Sequence, residues 1–450
     1  MKSATMPRTQ SSRRSFLAAA AGTALAAQSR PEIRTLLDDG GWCWFEDERA
    51  IAAGGQIVFG TVASGWRDPA RRGRIEVTSY NWKTGRGQTF PLEIPKEGDD
   101  PQQWLDDHNS PALLERPDGR LLALYARHGT RNQIHYRIST ARGSAARWGP
   151  GKIFVPSPAS RVTYSNPFYL PAEKRIYNFY RGYENSFKPS VMWSGDLGET
   201  WTAGGVVIDV PLAFRHRPYV KYCSNGVDTI HLAYTEGHPR NFNNSVYHVF
   251  YRQGRLHRSD GTVIRKLEEG LKAPEEGERI FQGDANNVAW TTDFHVTPSG
   301  ELLLLYTVQK DSGGLPDREH GQDHRFRLAR WSQGRWHDRE IAYAGSRLYP
   351  AEADYTGLGA LDPFDPSTVF ISTNADPARG SPLPRHEIFR GRATPGGGFD
   401  WTAVTKDSPA ANLRPIIPVW KERRAVLWLR GTLRTYTDYD LEVVGLVEPR

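Results

Sequence analysis

The chain has 450 residues, with 58 Lys and Arg against 51 Asp and Glu and a formal charge of +7. Its 14 Trp, 19 Tyr and 18 Phe exclude a disordered or fibrous chain, while 43 Gly, 31 Pro and only 3 Met argue against a helical bundle and for an all-β protein. Four cations, Lys2, Arg8, Arg13 and Arg14, sit in a leader-like segment; setting them aside leaves 54 basic against 51 acidic residues, about +3, with no Lys/Arg tract, so no nucleic-acid partner is expected.

Residues 11–17 read Ser-Ser-Arg-Arg-Ser-Phe-Leu and run into an Ala-rich stretch ending Ala24-Leu25-Ala26. A charged start, a short apolar run and a small-residue cleavage site describe a signal peptide over residues 1–26, and the paired arginines resemble the twin-arginine pattern that exports folded proteins. The apolar run falls short of the ~20 residues a bilayer span needs, and no later segment is a candidate. The expected mature protein is a single domain over residues 27–450, periplasmic or secreted, with no stable membrane span. The only cysteines are Cys43 and Cys223. Two do not make a disulfide framework, and Cys43 lies in the core-like run Trp42-Cys43-Trp44-Phe45, so both are expected as buried free thiols.

In chain order, strand-like runs follow at Ile57–Val62, Arg120–Tyr125, Arg175–Tyr180, Thr229–Tyr234, Glu301–Tyr306, Thr368–Ser372 and Ala425–Leu429. Turn residues such as Pro117-Asp118-Gly119, Asn225-Gly226 and Pro298-Ser299-Gly300 introduce several of them. Each is followed by a second run with period-two alternation: Ile75–Trp82, Ile134–Ser139, Ser190–Ser194, Ser245–Tyr251, Phe326–Trp331, His386–Arg390 and Leu441–Leu446. Seven hairpin units, recurring every roughly 50–70 residues, predict a seven-bladed β-propeller of four-stranded antiparallel blades. Two β-sandwiches would need a linker or a break in composition, and the chain has neither. Ser194-Gly195-Asp196-Leu197-Gly198-Glu199-Thr200-Trp201 fits the Asp-box pattern, a turn whose Trp packs between blades and which says little about chemistry.

No P-loop, dinucleotide fingerprint, zinc-protease motif or serine elbow is present. Chemistry-bearing residues gather instead at strand ends. Asp106-Asp107-His108-Asn109 precedes one strand, and Arg127-His128-Gly129 ends the next. In a propeller the start of one strand and the end of its antiparallel neighbour share a face, so His108 and His128 would approach each other as a proton-transfer pair. Taken singly, either histidine is more readily a loop hydrogen-bonder, and only as a pair do the two readings balance. The next unit repeats the placement with Tyr164 and with Tyr180-Arg181, and the one after with Arg217, Tyr219 and His231. The result would be a cationic, tyrosine-lined cleft for an acidic polysaccharide or oligosaccharide, with Arg as the fork for a carboxylate. The absence of an obvious pair of catalytic carboxylates points away from ordinary glycoside hydrolysis and towards β-elimination from a uronic acid.

Trp42-Cys43-Trp44-Phe45, Asp107-His108-Asn109, Thr163-Tyr164, the Asp box and Asn412-x-Arg414-Pro415 together resemble the BNR-repeat proteins, and within them the seven-bladed polysaccharide lyases typified by ulvan lyases. The resemblance implies cleavage of a rhamnose–uronate type linkage. It implies His108 and Tyr164 as the proton-transfer pair, either one the base, Arg181 and His128 neutralising the carboxylate, and Tyr219 and Asn109 positioning the sugar, with Arg217 and Tyr180 also substrate-binding. No cofactor is required on this reading. A structural zinc or calcium stays open, with Cys223 and His231 as the candidate ligands. Two alternatives stand beside it: a glycoside hydrolase, rhamnosidase-like or sialidase-like, in which Arg49, Arg181 and Arg414 would form an arginine triad, and a non-catalytic glycan-binding propeller.

Overall fold

The period-two runs place alternate side chains on opposite faces of a sheet, and both faces are apolar. In Leu121–Ala126, Leu121, Ala123 and Tyr125 join one buried cluster while Leu122, Leu124 and Ala126 join another. A sheet buried on both faces needs a neighbouring sheet on each side, and a ring of sheets meets that demand without leaving an uncovered face. In a computed structural model of the chain, which describes Met1 and residues 32–158, 161–182, 187–210, 218–310 and 319–450, the strands form seven antiparallel sheets in a seven-bladed β-propeller. The expected leader over residues 1–26 and the candidate Arg217 lie outside the described residues.

Blade 1 is built from Ala50–Ala53, Gln56–Val62, Ile75–Asn81 and Arg86–Glu93, and blade 2 from Ala112–Glu115, Leu121–Ala126, Ile134–Ile138 and Lys152–Phe154. Blade 3 follows with Thr163–Leu170, Arg175–Arg181, Pro189–Ser194 and Thr202–Val206. Blade 4 departs from the four-strand expectation: Val220–Ser224, Thr229–Tyr234 and Val246–Arg252 carry three further short strands to make six. Blades 5 and 6 begin at Val288–Val296 and Gly359–Leu361. Blade 7 takes Ala411–Ile416, Arg423–Thr435 and Asp438–Pro449 from the end of the chain, and Arg34–Leu37 from its start completes it. Both ends of the domain thus share one sheet, with Arg34 opposite Gly445, and the ring is held closed by main-chain hydrogen bonds.

Each interface between successive blades is an apolar cluster: Val58, Val77 and Leu92 meet Leu113 and Tyr125 between blades 1 and 2, and Val426 and Trp428 meet Phe370 and Ile388 between blades 6 and 7. The Asp box behaves as its pattern predicts. Asp196 accepts from the Thr200 amide and hydroxyl, and Trp201 packs against the cluster between blades 2 and 3. Cys43 and Cys223 are buried free thiols. Among the described residues no helix is long and apolar enough to cross a membrane.

The segment 41–50 fills the axis of the ring. Its backbone and side chains reach the inner strands of several blades: Asp47 N–H donates to Asn166 of blade 3, Lys221 of blade 4 donates to the Trp44 carbonyl and Asp47, and Arg414 of blade 7 donates to the Trp42 carbonyl. Trp44 packs edge-on against Trp290 and at a tilt against Tyr355, and Phe45 at a tilt against Tyr219. This plug forms the floor of the site described next.

Candidate active site

A cleft of about 390 Å³ opens over the plug, and loops from blades 2 to 7 line it. His108 and His128 reach it as the antiparallel geometry demands, one before the innermost strand of blade 2 and the other after its second strand. Their rings stack with centroids 4.1 Å apart and 6° between planes. Asp106 sets this arrangement. It caps the short turn Asp107–Asn109 by accepting the His108 N–H, and its two carboxylate oxygens take His108 Nδ1 and His128 Nδ1, each at 2.7 Å. Each imidazole therefore donates Nδ1–H to Asp106 and leaves Nε2 for other work. Asp107, fully buried, lies 2.8 Å from His108 Nδ1 and pairs with Arg414 at 2.5 Å.

Two stacked imidazoles on one carboxylate do not both carry a full charge at rest, because the second proton meets the first at close range. Burial alone would raise Asp106, but the two imidazoles hold it well below the usual carboxylate range. Burial opposes the His108 cation, yet Cys43, Tyr164, Asp106 and Asp107 around it raise that imidazole well above its ordinary value. Burial lowers His128, and the nearby His108 and Arg181 charges push the same way, against Asp106. The opposed shifts make His108 the imidazole that favours its extra proton and His128 the one that favours the neutral form.

Tyr164 lies 5.6 Å from His108, ring to ring, at the start of the innermost strand of blade 3. Its backbone takes φ 63°, beside a break in register between Thr163 and Asn166. Such a bulge re-aims a side chain that regular pairing would bury between sheets. Arg414 repeats the device on blade 7, with φ 52° beside a register break between Leu413 and Ile416. Burial raises the Tyr164 phenol well above its ordinary value, against Arg181 and His108. Arg181 ends the second strand of blade 3 with its guanidinium carbon 4.7 Å from the Tyr164 ring centre and 4.9 Å from that of Tyr219.

His108, His128, Tyr164, Arg181 and Tyr219 thus meet in one cleft. Of the other described sequence candidates, Arg414 also lines it, whereas Asn109, Tyr180, Arg49, Cys223 and His231 do not. Asn109 is fully buried: its carbonyl oxygen accepts from the His128 amide and its NH2 donates to the Gln103 carbonyl, so it ties the two histidine loops together. Tyr180 neighbours Arg181 on a strand, so it points to the opposite side and packs between blades 2 and 3. Arg49, the third arginine of the sialidase-like triad, faces Asp47 and the Cys43 carbonyl outside the cleft, and Arg414 is committed to Asp107. Sequence reasoning missed Asp106 as the clamp, Tyr436 from the hairpin of blade 7, and His238, Arg240 and Glu352 at the far wall. Asp106 alone carried a local signal, as the cap of its own turn.

Cys223 and His231 are opposite one another in register on blade 4, but they do not fit a zinc site. Among the described residues neither belongs to a group of three close donors, and His231 Nδ1 faces His248 Nε2 at 3.2 Å. Among the described residues the groups of three close donors are Cys43–Asp107–His108 and Asp106–His108–His128, and the ion pairs above account for their carboxylates.

No curated protein sequence matches the chain. In fold it is similar to a polysaccharide lyase of family PL25, an ulvan lyase, at 15% identity over 92% of this chain and 95% of that one, TM-score 0.66. A PL25 ulvan lyase structure bound to -[GlcA(1-4)Rha3S]- aligns at 14% identity over 91% and 94%, TM-score 0.65. The polysaccharide lyase Uly1 aligns at 14% identity over 92% and 97%, TM-score 0.55. Residues 65–344 match the profile of the BNR repeat-containing family. With that match spanning more than half of its length, the chain belongs to the BNR repeat-containing family.

Proposed function

We propose that this protein is an exported polysaccharide lyase that cleaves a rhamnose–uronate type linkage by β-elimination. The observation that carries the reading is the Asp106-clamped imidazole pair set against Tyr164 and Arg181 in one cleft. Among the described residues lining that cleft, Glu352 is the one carboxylate, whereas retaining or inverting hydrolysis calls for two flanking the scissile bond.

In the proposed reaction Arg181 pairs with the uronate carboxylate, which acidifies the proton on C5. The neutral nitrogen of the imidazole pair takes that proton, and the pair's new charge is spread over two rings and Asp106. As the C5–H bond breaks, its electrons form the C4=C5 double bond and the C4–O bond releases the neighbouring sugar. Tyr164, held protonated by burial, gives its proton to the leaving oxygen, and the nearby Arg181 stabilises the phenolate until the imidazolium returns the proton. No water is consumed. The imidazole pair is thus the base and Tyr164 the acid. Tyr219 supplies a face for the sugar ring.

Incubation with a panel of uronate polysaccharides, ulvan among them, tests this. The expected result is ultraviolet absorbance of an unsaturated uronate, lost in His108→Ala and kept in a variant of exposed Lys83. Chain shortening with a gain of water and no such absorbance would overturn it.

A further inference from the structure

The cleft draws on blades 2 to 7, and blade 1 is the one whose described residues do not line it. Blade 1 still presents a hollow on the same face. In blades 2, 4 and 7 the residues just after the second strand, His128, His238 and Tyr436, line the cleft, and Trp66 follows the second strand of blade 1 in the same way. Trp66 borders a hollow of about 150 Å³, which Arg72 and, from the blade 7 hairpin, Thr437, Asp438 and Asp440 also line. This hollow and the cleft are two sides of one wall. Tyr436 lines the cleft, while Thr437 and Asp438, next along the chain, line the hollow. Leu105 lines the hollow, while His108, three residues on, lines the cleft. The Asp107 amide donates to the Tyr436 carbonyl at 2.9 Å and fastens the two segments to each other. A glycan leaving the histidine end of the cleft over this wall meets Trp66.

Trp66 is exposed yet fixed. Its side chain stands in solvent at 39% exposure, and its Nε1–H donates to the Leu441 carbonyl at 3.3 Å. Asp39, fully buried, accepts from the Ser64 amide and hydroxyl and from the Gly65 amide, which pins the turn that carries the indole. The Arg67 guanidinium lies over the ring at 3.8 Å but does not line the hollow, so the hollow meets the part of the indole that Arg67 leaves bare. A large aromatic held rigid in water loses little freedom when a sugar ring packs on it. Arg434 is taken up by Asp438 and Asp440, each at 2.9 Å, whereas among the described residues the exposed Arg72 guanidinium makes no hydrogen bond or ion pair.

We propose that the Trp66 hollow is an outer subsite of the cleft, taking a sugar of the same uronate polysaccharide beyond those that the cleft itself holds. The apolar face of that sugar ring packs on the indole, and Arg72 donates to its oxygens. Arg72 and Arg434 are balanced by Asp438 and Asp440 in the lining, so the subsite reads the shape of a sugar ring rather than its charge. The consequence is a dependence on chain length. A short fragment is held by the cleft alone, whereas a long chain already held there presents its next sugars to Trp66 at high effective concentration.

The inference rests on the cleft being a uronate-glycan site, not on how the bond is broken. Ulvan and a ladder of its fragments, from one repeating disaccharide upward, are titrated into the full chain carrying His108→Ala, with and without Trp66→Ala, and thermal melts confirm folding. The affinity lost through Trp66→Ala is expected to be near nil for the shortest fragment that binds and to grow to roughly five- to tenfold for the polymer. Arg72→Met, at an exposed side chain, is expected to give a smaller loss with the same growth, and it carries the test should Trp66→Ala not fold. An equal loss at every length, or no loss for the polymer, overturns the outer subsite and leaves the cleft as a glycan site. Binding of neither fragments nor polymer to either protein overturns both readings. Ultraviolet absorbance with His108 intact reads the lyase claim separately: a length-dependent loss without an unsaturated product leaves the subsite standing and removes the lyase.

Discussion

Asp106→Asn tests the site at its clamp. The carboxylate accepts Nδ1–H from both imidazoles at 2.7 Å and also caps the His108 turn. An asparagine keeps one oxygen acceptor and replaces the other with an NH2 donor, so only one imidazole keeps its Nδ1–H bond. The other must turn its Nδ1 lone pair to the amide and carry its proton on Nε2, where it is no longer basic. One charge-assisted hydrogen bond is lost, costing about 1.5–3 kcal/mol of stability, a shift of a few degrees in Tm for a chain of this size. The catalytic cost is larger: a histidine base held in the wrong tautomer by the same kind of substitution in serine proteases loses roughly 10⁴-fold in turnover, and a shared pair here is expected to lose roughly 10²–10⁴-fold. The assay is initial rate of unsaturated uronate formation over pH. Because Asp106 raises His128, its removal is expected to move the acid limb of the residual activity to lower pH. Wild-type kcat/KM in a folded Asp106→Asn protein would refute the clamp.

Four further outcomes follow from the same structure. Arg181→Lys is expected to lose kcat/KM by roughly 10²-fold, since a point charge cannot replace a bidentate fork on a carboxylate, as steady-state kinetics would read. In the wild-type pH profile, kcat/KM is expected to fall below the ordinary histidine range, where the imidazole pair takes its second proton; an acid limb above that range would contradict the burial-lowered His128. Above the ordinary histidine range, where the burial-lowered histidines are neutral folded or unfolded, stability is expected to fall as pH rises. Within the plug, burial and Asp47 push Glu48 up to about 7, so its ionisation opposes the fold between the usual carboxylate range and that value. Near it, His295, which burial lowers but Asp293 raises to about 9, contributes stability that is complete below its unfolded value and lost through pH 9, and a Tm constant from the ordinary histidine range to pH 9 would count against it. Gly182→Ala is expected to destabilise the protein and displace Arg181, because a Cβ there would stand 2.1 Å from the Arg161 carbonyl oxygen; Tm and kcat/KM would both drop.

How far the sequence reveals this protein depends on where the signal is local. The second and third strands of each blade are legible because their side chains alternate between two apolar interfaces, as in Leu121–Ala126. The closing strand Arg34–Leu37 is not, because its partner in Asp438–Pro449 lies at the other end of the chain and no nearby residue marks the pairing. The three added strands of blade 4 are short, with half-exposed faces, and leave no clear alternation. In the site, His108, His128, Tyr164 and Arg181 are legible because equivalent strand ends in successive units share a face. Tyr180 and Asn109 were misplaced by the same logic taken one residue too far: a neighbour on a strand points away, and a turn residue beside a histidine serves the turn. Glu352 and Tyr436 come from connections whose length varies from blade to blade, and only the closed ring brings them to the cleft.

The most direct test of the central claim is the mass of the products formed from a uronate polysaccharide in heavy-oxygen water. The account predicts chains ending in an unsaturated uronate, lighter by one water than hydrolytic fragments and free of solvent oxygen. Incorporation of solvent oxygen at the cleaved bond, with no double bond, would show a hydrolase and contradict it.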